Sequence, residues 1–62
     1  MAGGPREILF EFRPVGQQVR VAAIDPETGI EVIVVAPLTA TEAQMKSIAL
    51  AKLRRRLEQE GH

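Results

Sequence analysis

Sixty-two residues allow one domain, near the lower limit at which a single apolar core sustains a fold unaided. The chain has no cysteine, which removes disulfides, thiol chemistry and cysteine-ligated zinc and suits a reducing cytoplasm. Eight Lys and Arg balance eight Asp and Glu, so no overall field draws the chain onto nucleic acid or anionic lipid, and charge-driven binding has to be local.

Met1 to Pro5 lack the basic and apolar regions of a secretion signal and read as a flexible lead, with one domain over residues 6–60 and a tail at 61–62. From Glu7 to Arg13, EILFEFR sets Ile8, Phe10 and Phe12 on one side of an extended chain and Glu7, Glu11 and Arg13 on the other, the pattern of a strand with one buried face. Pro14-Val15-Gly16 then supplies turn chemistry: a fixed φ followed by a residue tolerant of positive φ. QVRVAAI, residues 18–24, is a second alternating run, and after Asp25-Pro26-Glu27-Thr28-Gly29 comes a third, IEVIVV. The longest apolar run, Val32 to Leu38, is far short of the ~20 residues of a membrane-spanning helix, so a soluble, cytoplasmic protein is expected.

Registers follow from placing the bends, because a slip of one residue turns every side chain to the opposite face. A four-residue loop over Pro26 to Gly29 sets Asp25 against Ile30, Ala23 against Val32, Val21 against Val34 and Ala22 against Ile33. A first bend centred on Val15-Gly16 sets Arg13 against Gln18, Phe12 against Val19, Phe10 against Val21, Ile8 against Ala23 and Glu11 against Arg20. The expected core rows are Ile8, Ala23, Val32; Phe10, Val21, Val34; and Phe12, Val19, Ala36.

Pro37 ends strand pairing, and Thr41-Glu42-Ala43-Gln44 is a capping box that opens a helix, with Thr39 and Glu42 as a competing cap. Met45, Ala49, Leu53 and Leu57 form its apolar stripe, widened by Leu50 on one side and Ile48 on the other, and Gly61 is the stop. The expected fold class is therefore α+β: a three-stranded antiparallel β-meander with one C-terminal α-helix on one face, β-β-β-α.

The stretch VGQQVRVAAIDPETGIEV, preceded by FEFRPV and followed by a short capped helix, resembles a family of short alphaproteobacterial proteins of unknown function. Its members carry a Val-Gly step, then Ala-Ile-Asp-Pro-x-Thr-Gly-x-Glu-Val, then a helix rich in Ala, Leu and Lys. The resemblance covers residues 6–58 and is most distinctive from Ala23 to Val32. Thr41 and Gln44 stand where the family has Ser-x-x-Glu, and Arg54-Arg55-Arg56 has no counterpart in it. Membership implies the β-β-β-α fold and no activity.

For chemistry the residues offer little. Asp25 to Gly29 could ligate a cation, but a calcium loop needs roughly six or more oxygens. The same residues each have a conformational task in a hairpin: Asp25 as acceptor for nearby backbone N–H groups, Pro26 for φ, and Gly29 for a left-handed residue. His62 is the only histidine, at the C-terminus and open to being a cloning remnant, and Ser47 is the only serine, within the helix, so no nucleophile–base constellation forms. Glu7 and Glu31 would flank Ile24 about 9–10 Å apart, yet as exposed edge residues without a cleft they read as guards against edge pairing. No phosphate-binding glycine loop precedes the helix. No enzyme, cofactor, metal ion or small-molecule pocket is inferred.

Two binding surfaces are expected. On the open sheet face, Leu9, Ala22 and Ile33 form an apolar row with Ile24 and Val35 beside it and charge at the margins, suited to a protein partner or a second copy. Ile48 and Ala51 on the helix offer a rival surface. The alternative is nucleic acid, held by the basic cluster Lys52, Arg54, Arg55 and Arg56. Against it, three glutamates lie on the open face, both phenylalanines are assigned to the core, and cations at a helix C-terminus already complement its dipole.

Overall fold

A computed structural model describes residues 7–61; the lead at 1–5 and His62 lie outside the described residues. Three strands, β1 (Leu9–Val15), β2 (Gln18–Ile24) and β3 (Glu31–Pro37), precede one helix, α1 (Glu42–Gln59). The strands form one antiparallel sheet in the order β1-β2-β3, with the helix packed on one face, as the periodicities predict.

The β2–β3 register matches the expectation pair for pair, with Ala23 opposite Val32, Ala22 opposite Ile33 and Val21 opposite Val34. The loop enforces it from within. The Glu27 N–H donates to Asp25 Oδ1 at 2.9 Å, and the Ile30 N–H donates to Thr28 Oγ1 at 3.2 Å. The Gly29 N–H donates to the Asp25 carbonyl at 2.8 Å, and the Asp25 N–H closes the hairpin on the Ile30 carbonyl at 2.9 Å. Gly29 takes φ 76°, which a side chain would disfavour.

The β1–β2 register differs from expectation by two residues. Phe12 stands opposite Val21, Phe10 opposite Ala23, Glu11 opposite Ala22 and Arg13 opposite Arg20. The cause is a tighter turn: Gly16 and Gln17 alone connect the strands, with Gly16 at φ 62° and, among the described residues, no non-glycine residue at positive φ, the φ signs of a type II′ hairpin. Pro14 and Val15, assigned to the bend from sequence, are paired strand residues. An even slip preserves the faces while changing every partner. The rows on the helix side become Phe10, Ala23, Val32; Phe12, Val21, Val34; and Pro14, Val19, Ala36, the last with Pro14 itself exposed.

The helix opens as expected. Thr41 Oγ1 accepts the Gln44 N–H at 3.0 Å and Gln44 Oε1 accepts the Thr41 N–H at 2.9 Å, a complete capping box. Thr39 lies in the preceding turn, where the Ala40 N–H donates to the Pro37 carbonyl at 3.0 Å. At the other end Gly61 takes φ 81° and its N–H reaches the Glu58 carbonyl at 3.2 Å. Ala49, Leu53 and Leu57 are buried against Val19, Val21, Ala23 and Val32, with Met45 partly buried beside them. Burial of Leu53 alone contributes about 1.5–3 kcal/mol. Ile48 does not widen the stripe; it is exposed.

Two features of the core depart from the sequence pattern. The helix lies over β2 and β3 rather than centrally, so Phe10 and Phe12 border the core half-buried instead of filling it, and Lys46 Nζ sits 5.7 Å from the Phe10 ring centroid. Asp25 is fully buried, at 0% exposure, because it continues the inward-facing series Val19, Val21, Ala23.

Candidate functional site

The sheet face turned away from the helix carries four rows: Leu9, Ile24, Glu31; Glu11, Ala22, Ile33; Arg13, Arg20, Val35; and Val15, Gln18, Pro37. The slipped register breaks the straight row expected through Leu9, Ala22 and Ile33. Leu9 neighbours Ile24 instead, and the apolar residues run as a diagonal from Leu9 through Ile24, Ala22 and Ile33 to Val35. Leu9, Ile33 and Val35 are 47%, 41% and 55% exposed, Ile24 is half-buried, and Ala22 is covered by its neighbours. Glu11, Arg13, Arg20 and Glu31 border this diagonal and share with Ala22 and Ile33 the lining of a shallow depression.

The register also sets two charges of one sign together. Arg13 and Arg20 are directly opposite, an arrangement that disfavours the pair unless a carboxylate lies alongside. Glu11, expected to face Arg20, faces Ala22. Glu7 precedes β1 and does not oppose Ile24, so the pair it was to form with Glu31 is absent. Val15, half-exposed at the far end of this face, escaped the sequence reading because it was assigned to the bend; the signal that recovers it is the Gly16-Gln17 step, read as a two-residue loop.

Of the basic cluster, Lys52, Arg55 and Arg56 line one groove with Val32, Ala51 and Gln59, beside the β3 edge, and Arg54 is not among them. Two of these cations have partners. Lys52 Nζ donates to the Ile33 carbonyl at 2.8 Å, and Arg56 Nε pairs with Glu60 at 3.0 Å. Ile48 lines a separate shallow hollow with Pro37, Ala40, Ala43, Gln44 and Ser47, so it and Ala51 do not form one surface. Among the described residues no three His, Cys, Asp or Glu side chains cluster so as to hold a metal ion, and no helix is long and apolar enough to cross a membrane.

A family model described as "Domain of unknown function (DUF6898)" matches residues 5–60, which takes in all four elements. The chain belongs to this family. No curated protein and no solved structure matches it. The family therefore accounts for the whole fold, from β1 to the end of α1, and assigns it no activity.

Proposed function

We propose that the protein is a small, non-enzymatic, cytoplasmic interaction module that docks a protein, a second copy included, on the sheet face opposite its helix. One observation carries this reading: Leu9, Ile24, Ala22, Ile33 and Val35 make a continuous apolar diagonal with a charged border. That is the composition of a patch which gains by being covered. The same proposal takes Ala-Ile-Asp-Pro-x-Thr-Gly-x-Glu-Val as the signature of an alphaproteobacterial family, since Asp25, Thr28 and Gly29 each hold the hairpin by a distinct bond or backbone angle.

Sedimentation velocity across concentrations, combined with capture from the native host, tests the docking face. Ile33→Lys is expected to abolish capture of the host partner with the circular dichroism spectrum unchanged. Host-partner capture unaffected by Ile33→Lys and Val35→Lys rejects this face.

A second reading, nucleic-acid binding at the helix end, draws on the convergence of Lys52, Arg55 and Arg56 on one groove. It predicts a salt-sensitive gel shift that Arg55→Glu weakens. No shift at low salt removes it.

A further inference from the structure

The two edges of the sheet are unlike. In the β2–β3 ladder the Asp25–Ile30 pair is hydrogen-bonded, so alternation gives Ala23, Val21 and Val19 the bonds to β3 and leaves Ile24, Ala22, Arg20 and Gln18 to bond β1. On β1, Leu9, Glu11, Arg13 and Val15 are then the inward-bonded residues, while Phe10, Phe12 and Pro14 direct their backbone groups outward. On β3 the outward residues are Glu31, Ile33, Val35 and Pro37, and there Lys52 occupies the Ile33 carbonyl with Arg55 and Arg56 alongside. The β3 edge is obstructed and positively charged. Among the described residues the β1 edge has no neighbouring strand, and the offset helix leaves its Phe10 and Phe12 half-exposed.

We infer that β1 pairs with β1 of a second copy, antiparallel and centred on Phe12, joining two sheets into one of six strands. This interface is the sheet edge, and the inference stands apart from the open-face reading. The strand LFEFRPV is complementary to its own reverse about Phe12. Leu9 meets Val15 of the second copy, Phe10 meets Pro14, Glu11 meets Arg13 and Phe12 meets Phe12. The Phe12 pair exchanges both of its backbone hydrogen bonds, and each Phe10 N–H donates to the opposite Pro14 carbonyl. Proline supplies no N–H, which its outward position on an edge strand tolerates.

The charges favour this centre over others. Arg13 is opposite Arg20 within one copy, and the pairing delivers Glu11 of the other copy to the far side of Arg13. Each arginine pair thereby gains a carboxylate, with opposite charges in register twice. On the core side, Phe12 stacks against its symmetry mate in the space that the offset helices leave over β1, which covers the apolar surface that α1 does not.

Sedimentation equilibrium and nuclear magnetic resonance on the full chain test this pairing. The expected result is a dimer in which the Phe10 and Phe12 amides gain exchange protection with concentration. A mixed-label sample should give an intermolecular Hα–Hα contact between Glu11 and Arg13, a non-hydrogen-bonded pair. Glu11→Arg and Arg13→Glu, both exposed, should each weaken the dimer by about tenfold or more, and the double variant E11R/R13E should restore it. Ile33→Lys should leave it intact, which separates this interface from the open face. A monomer at every concentration overturns the inference, as does a double variant no tighter than either single one, or protection arising at the Ile33 and Val35 amides.

Discussion

The two hairpins solve one problem in different ways. Between β2 and β3 the loop is held by side chains: Asp25 and Thr28 each accept a backbone N–H from two residues on, and Gly29 completes the reversal. Between β1 and β2 only the Gly16 and Gln17 backbone makes the turn, and among the described residues no side-chain bond marks where it starts. A loop built from side-chain acceptors declares its length in the sequence. A turn built from one glycine leaves the neighbouring residues open to more than one assignment, and here Pro14 drew that assignment off by two positions.

Removing the Asp25 acceptor from the β2–β3 loop should separate the two hairpins most. Asp25→Ala takes a fully buried acceptor from the Glu27 N–H, and a loss of about 2–3 kcal/mol is expected, read as a lower denaturation midpoint with unchanged m-value. In so small a domain that is a large share of the total stability. Gly16→Ala and Gly29→Ala should cost less, about 1–2 kcal/mol each, because both glycines have positive φ while nothing lies within 4 Å of an added Cβ. The penalty is thus one of backbone conformation, and asparagine at either position should recover part of it; equal losses for Ala and Asn would contradict that account. Thr28→Ala removes only the bond to Ile30 and should lower stability by about 0.5–1 kcal/mol, with increased hydrogen exchange confined to the β2–β3 loop. If Thr28→Ala instead matched Asp25→Ala, the loop would depend on both acceptors as one unit.

Much of the fold is legible in the sequence because its signals are local. Alternation marks the strand faces, the Thr41–Gln44 box marks the helix start, and the Asp25 loop fixes one register. What escaped was of two kinds. The Asp25-Pro26 step marks Asp25 as a loop residue although it lies one alternation beyond Ala23; the turn role conceals the burial. The half-exposure of Phe10 and Phe12 has no local signal, since a helix stripe shows which side faces the sheet and not which strands it crosses. For the candidate surface, the membership of Leu9, Ala22, Ile24, Ile33 and Val35 on one face survives the slip, because an even shift keeps parity, while their arrangement changes from a row to a diagonal.

The bond from Lys52 to the Ile33 carbonyl also bears on how far such a sheet can grow. A strand with two free edges templates indefinitely, each added chain offering the next site, and ends in a fibre. One edge closed by a lysine and a proline at its end leaves a single valence. Edge-to-edge growth then stops at a twofold pair, a finite particle rather than a polymer.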